Sequence, residues 1–129
     1  MIVDTSALIA ILFKEVDAAA FIGAISASDR LAIAAPTLIE VTTVSEGRVG
    51  PAMQAELDDL LRTIRPEIVA FTAEHAQIAR DGWRRYGKGR HPAGLNLGDC
   101  FAYALAKARG EPLLFKGDDF SKTDVKAAL

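Results

Sequence analysis

An α/β sandwich around a mainly parallel sheet is the fold this sequence predicts. Three observations predict it. Short apolar runs ("MIV", "RLAIAA", "EIVAF", "EPLLF") alternate with longer segments of helical character. No tight hairpin signal joins one run to the next. A length of 129 residues, half of them hydrophobic and a quarter charged, suits one domain with one core. Residues 1–129 are read as that single domain, with no internal repeat, low-complexity tract or linker.

In chain order, "MIV" is a short strand, and residues 5–13 and 16–27 are helical. The first of these helices is so apolar all round that it should be buried. "RLAIAA" (30–35) is a second strand, after which Pro36 suits the first turn of the helix "TLIEVTTVSEGR". That helix ends near Gly47 and Gly50, and Pro51 opens another to about Ile64. "EIVAF" (67–71) is a third strand. Thr72 caps a helix in which Ala76, Ala79, Trp83 and Tyr86 form an apolar stripe while Gln77, Arg80, Arg84 and Lys88 line another face. "GKGRHPAGLNLG" is a loop rich in breakers, "DCFAYALAKARG" a helix stopped by Gly110, and "EPLLF" a fourth strand.

Composition narrows the setting. No apolar run approaches the ~20 residues that a membrane helix needs. No basic segment precedes an apolar one at the start, so no secretory signal is expected. The lone cysteine, Cys100, cannot form an internal disulfide. A cytoplasmic protein without membrane contact is the expectation. The net charge is −2, yet five of the 15 Lys and Arg residues fall in "RDGWRRYGKGRH". A basic patch on a mildly acidic chain predicts a polyanion on one face only.

Four acidic spots sit where a parallel sheet would gather them. Asp4 follows the first strand and has apolar neighbours on both sides. Glu40 lies in the first turns after the second strand, Asp99 opens the helix after the glycine-rich loop, and Asp118 and Asp119 follow the fourth strand. In open α/β sheets, ligands collect at the carboxyl ends of strands. Each acid has a plain reading: Asp4 and Asp99 as helix N-caps, Glu40 as a solvated helix acid, "GDD" as a turn. Together the plain readings leave the shared placement unexplained. Clustered carboxylates need a proton, a basic partner or a cation. Oxygen donors without a His or Cys cluster suit Mg2+, with Mn2+ as a substitute, and such a centre can activate water for phosphodiester hydrolysis.

"MIVDTSALIAIL", "APTLIEVTTV" and "GLNLGDCFAYALAKARGEPLLFKGDDFSKTD" together resemble the PIN-domain family, and more narrowly its VapC-type toxins. The resemblance spans nearly the whole chain in the right order. It implies a PIN-like three-layer sandwich and an Mg2+-dependent endoribonuclease toxin of a type II toxin–antitoxin pair. It implies that Asp4, Glu40 and Asp99 form the metal centre with a fourth acid from Asp118 or Asp119, of which Asp119 is preferred. Thr5 and Ser6 match the "DTS" hydroxyls that hold a carboxylate or a water, and Asn96 could orient the loop before Asp99. The resemblance also implies a VapB-type antitoxin whose tail covers the acidic pocket, a homodimer, and a higher assembly with the antitoxin. The apolar helices at 5–13 and 38–48 either offer surface for that tail or are simply core.

Arg80, Arg84, Arg85, Lys88 and Arg90 precede Asp99 and can hold RNA phosphates; the alternative is a solvated helix face. Trp83 and Tyr86 could stack bases, although their stripe spacing favours core packing. "GWRRYGKG" only imitates a phosphate-binding loop, because Gly89 stands where Ser or Thr is required. Cys100 reads as a small buried residue, and His75 and His91 as isolated side chains. Two other functions compete. A receiver-like phospho-acceptor domain fits the length but wants an acidic pair after the first strand and an Asp after the third. A catalytically inactive PIN-like interaction module fits if the acids are vestigial.

Overall fold

The computed structural model describes residues 1–129. Its elements run β1 (Ile2–Val3), α1 (Thr5–Leu12), α2 (Ala18–Ser26), β2 (Ala32–Ala34), α3 (Ala35–Val49), α4 (Ala52–Ile64), β3 (Glu67–Val69), α5 (Ala73–Tyr86), α6 (Leu97–Arg109) and β4 (Leu113–Leu114). A single 3-10 turn, Phe120–Lys122, follows β4. All strand pairs are parallel, in the order β3-β2-β1-β4. The α/β class and the parallel sheet are as the alternation of runs predicts.

Period-two alternation splits the core across the sheet. Ile2, Ala32 and Leu113 are in register and pack on Tyr103, Leu105 and Ala79 of α6 and α5. Val3, Ile33 and Leu114 face the other way, onto Leu8, Phe21, Val41 and Leu57 of the first four helices. Burial on both faces explains why β1, β2 and β4 read as continuous apolar runs, while β3, at the sheet edge, stays exposed.

Several boundaries differ from the sequence reading. The strands are shorter, because α3 already starts at Ala35 and Pro36 occupies its first turn. Lys14, with φ 53°, ends the first helix, so α2 starts only at Ala18. In α6 the start moves forward to Leu97, since Asn96 caps it and Asp99 lies one turn inside. As its all-round apolar pattern predicts, the first helix is core: Ala7, Leu8, Ile9 and Ala10 are buried and offer a tail no surface. On α3, Ile39 does stay exposed.

Candidate active site

Asp4 ends β1 and caps α1 in the same step. Its backbone N–H still pairs with the Leu114 carbonyl at 2.9 Å, so the strand carries the residue to the sheet edge. There its Oδ2 accepts from the Ser6 amide at 2.9 Å and from the Ser6 hydroxyl at 2.5 Å. The Ser6 hydroxyl also accepts from the Lys116 amide at 2.9 Å, which ties the start of α1 to the segment after β4. The N-cap reading of Asp4 therefore holds, but it uses one oxygen only. The other carries no hydrogen bond on a side chain that is 2% exposed.

Glu40 and Asp99 reach the same place from α3 and α6. Thr5 donates its hydroxyl to Glu40 Oε2 at 3.0 Å. Asp99 closes a capping box with Asn96: its Oδ2 accepts the Asn96 amide, and its own amide donates to Asn96 Oδ1, both at 2.9 Å. Asp4, Glu40 and Asp99 line one cleft of about 350 Å³, together with Thr5, Ser6 and Asn96. Thus six of the residues singled out in the sequence lie around one opening at the carboxyl ends of the strands.

Electrostatics follow from burial. Desolvation pushes the Asp4 carboxyl up to about 6; the Ser6 hydrogen bonds oppose the shift and the charge of Glu40 adds to it. Asp99 is likewise pushed up to about 6 by burial, against the Asn96 amide, with the charges of Asp4 and Asp119 adding. Glu40 rises through burial, opposed by Thr5 and helped by Asp99. The charge of Asp119 reaches Asp99, and that of Asp118 does not register there. Neither lines the cleft.

The donor set suits a hard divalent cation. It consists of carboxylate oxygens, and none of Asp4, Glu40 or Asp99 has a basic partner within 4.0 Å. No three acidic, His or Cys side chains are gathered at ligating distance.

Three charged cleft residues were not foreseen: Glu15, Arg48 and Lys116. Lys116 pairs with Glu15 at 2.5 Å and with Asp17 at 3.2 Å. Arg48 has no acidic partner, and its guanidinium carbon lies 5.6 Å from the ring centroid of Phe13. Gly98 also matters. A Cβ built there would drive into the carboxylate of Glu40, which is pressed against the α6 backbone. Gly98→Ala should displace Glu40 and reduce activity on the order of 10²-fold. Alanine's better helix propensity offsets the strain. A steady-state assay beside a thermal melt checks this: turnover falls while the melting midpoint holds within a few degrees.

The basic segment lies elsewhere, mostly on the outer face of α5. Arg84 pairs with Asp81 at 3.1 Å, Arg85 with Asp124 at 3.4 Å, and Arg80 bonds the neutral Gln77. Arg90 stacks on Trp83, 4.5 Å from its centroid. None of these four arginines, nor Lys88, lines the acidic cleft. The core expectation fails for Trp83, which is 39% exposed. Tyr86 is partly buried against His91 and Tyr103. His75 accepts from the Thr72 amide, His91 accepts from that of Ala93, and burial pushes the Cys100 thiol up to about 11, away from nucleophilic use.

A family model described as PIN domain matches residues 1–126. The chain is 49% identical over 127 residues to Ribonuclease VapC of Mycolicibacterium smegmatis, spanning 98% of each chain. It is 47% identical over 125 residues to Ribonuclease VapC30 of Mycobacterium tuberculosis, covering 97% of this chain and 95% of that one. Among solved structures it resembles VapC20 of M. tuberculosis, described as a Sarcin-Ricin loop cleaving toxin, with TM-score 0.77 and 16% identity over 96% of this chain and 95% of the other. A toxin–antitoxin complex from Klebsiella pneumoniae gives TM-score 0.70 at 18% identity, over 95% and 92%. At such identities the structural likeness establishes the fold.

Proposed function

The chain belongs to the PIN-domain family, in its VapC ribonuclease branch, and from that premise we propose that it is a metal-dependent endoribonuclease toxin acting in the cytoplasm. The observation that carries the reading is the meeting of Asp4, Glu40 and Asp99 in one cleft, with Asp4 buried and none of the three ion-paired. The receiver-like reading falls with the family, and no Asp follows β3, whose end reads "VAFTAEH". The inactive-module reading is disfavoured because the cleft's hydroxyl and amide supports are all in place.

Asp4, Glu40 and Asp99 would hold a divalent cation, with Asp119 the nearer of the two later acids. When bound, Mg2+ neutralises the carboxylates, lowers the pKa of a coordinated water and offsets charge at phosphorus. The protein prepares the rest. Ser6 fixes one oxygen of Asp4 and leaves the other free; Thr5 does the same for Glu40, and the Asn96 amide for Asp99. The cleft excludes bulk water around Asp4, and Arg48, which has no acidic partner, borders it as a cation for an RNA phosphate. In-line attack by water on phosphorus leaves 5′-phosphate and 3′-hydroxyl ends.

End analysis of the cleaved RNA tests the proposal. Recovery of 2′,3′-cyclic phosphate indicates attack by the ribose hydroxyl and overturns it. Stripping divalent ions with EDTA should stop cleavage, and Mg2+ or Mn2+ should restore it. Arg48→Gln should raise KM roughly 10-fold with little change in kcat, since a charge-assisted phosphate contact is lost from both ground and transition states. A shallower dependence of KM on salt should accompany it.

The partner we propose is a VapB-type antitoxin. Val16 leaves an apolar side chain exposed next to Glu15 of the cleft wall, which suits a covering tail. Co-purification with loss of cleavage tests the pairing, and sedimentation of each species tests the homodimer and the higher assembly.

A further inference from the structure

The acidic cleft has a far end, set by two helices. α1 and α3 start directly at the carboxyl ends of the neighbouring parallel strands β1 and β2, and they pack on each other. Along α3 the cleft lining runs Glu40, Val44, Arg48, one turn apart at each step. At about 1.5 Å of rise per residue, Arg48 lies about 12 Å further along the axis than Glu40. The 8 residues of α1 separate Asp4, at its cap, from Phe13, at its far end, by about as much. The Arg48 guanidinium lies over the Phe13 ring, its carbon 5.6 Å from the centroid, so its charge is held at the far end and does not fold back on the carboxylates. Between the two ends, Ile9 and Val44 make an apolar floor.

We propose that Arg48 is a subsite for an uncleaved phosphate of RNA, one or two nucleotides from the phosphate that sits at Asp4, Glu40 and Asp99. The inference rests on the ribonuclease reading and fixes the register in which the strand lies in the cleft. A charge-assisted hydrogen bond spans only about 2.7–2.9 Å, so a phosphate at the carboxylates is out of reach of a guanidinium held over Phe13. A neighbour along the strand can meet it. The nucleoside between the two phosphates then crosses the Ile9–Val44 floor, where apolar surface suits a sugar and base.

Charge singles out Arg48. It has no acidic partner, whereas Lys116, the other cation on the cleft, is committed to Glu15 and Asp17. A strand with a charge at every nucleotide serves both ends of the cleft at once, one phosphate at each. An acidic side chain from a protein partner is the competing occupant, and it lacks that regular spacing of charge.

Binding to the full-length Asp4→Asn protein, which should leave RNA intact, tests the register. A short, end-labelled oligoribonucleotide is made with one phosphate at a time replaced by an uncharged methylphosphonate, and affinities are read by fluorescence anisotropy. Cleavage of the unmodified strand by the wild-type chain locates the cut. A single replacement, one or two steps from that cut, should weaken binding about tenfold. Adding Arg48→Gln should cost about tenfold on the unmodified strand and nothing further on that modified one, because both partners of one contact are then gone. Arg48→Lys should keep most of the affinity and couple to the same phosphate. Losses that multiply at every position overturn the subsite, since Arg48 then meets no single phosphate. Coupling to the phosphate at the cut overturns it too, since the guanidinium then reaches the carboxylates. So does an Arg48→Gln change that spares RNA binding and weakens capture of a polyglutamate peptide, which makes an acidic protein tail the occupant. Cutting without a coupled phosphate defeats the subsite alone, and a coupled phosphate on strands that the wild type never cuts defeats the nuclease reading alone.

Discussion

Asp4→Asn and Asp99→Asn should each lower RNA cleavage by at least about 100-fold, the scale seen when one preorganised electrostatic group is removed from an active site. The two substitutions keep side-chain shape. At position 4 an amide oxygen can still accept from the Ser6 amide and hydroxyl, so the cap of α1 survives. At position 99 the amide can still accept from Asn96 and close the capping box. Only the negative charge and one ligand oxygen are lost. Measured kcat/KM should collapse in both variants while far-ultraviolet circular dichroism stays that of the wild type. Cleavage at the wild-type rate in either variant removes that acid from the site. Combining the two should cost little more than either alone, because groups acting as one unit are not additive.

The sequence made much of this arrangement legible. Asp4 was visible because a carboxylate between "MIV" and "ALIAIL" has no ordinary place. Parallel-sheet logic then gathered Glu40 and Asp99 at the same edge, and the cleft joins all three. Arg48 was missed although its spacing could have shown it. Glu40, Val44 and Arg48 recur every four residues along α3 and all line the cleft. Lys116 follows β4 at the same sheet edge as the acids, so its position also carried a signal. Trp83 misled for a different reason. The stripe of α5 turns inward at Ala79 and Gly82, with Gly82 pressed on the ring of Tyr103. A glycine contributes nothing to an apolar pattern, so Trp83 took the core position on paper while standing beside it in fact. The short strands were blurred because helices begin directly at their ends, as Ala35 does after Ala34.

The largest expected effect on stability comes from the same acid. Without divalent ions, Asp4→Asn should melt well above the wild type at pH 7, and the advantage should vanish near pH 4. Burial raises the folded carboxyl of Asp4 to about 6 from an ordinary 3.8. Below 3.8 both folded and unfolded chains hold the proton, and Asp4 carries no penalty. Between 3.8 and 6 the unfolded chain releases its proton while the folded chain keeps it, so stability falls as pH rises. Above 6 the loss is complete, on the order of 3 kcal/mol. For a domain of this size that corresponds to roughly 10 °C in melting midpoint. Glu67 and Asp124 are held below their usual range by Arg109 and Lys107, and their contributions run the opposite way, lost on acidification. They are common to both proteins and cancel in the difference. Asp99 relaxes when the charge of Asp4 is gone, which adds to the gain. Millimolar Mg2+ should raise the midpoint of the wild type at pH 7 and leave Asp4→Asn nearly unchanged, because a cation that binds only the folded chain removes the repulsion the amide has already removed. A midpoint for Asp4→Asn at or below the wild type at pH 7, without metal, would show that the carboxylate is at ease in its pocket and has no need of an ion.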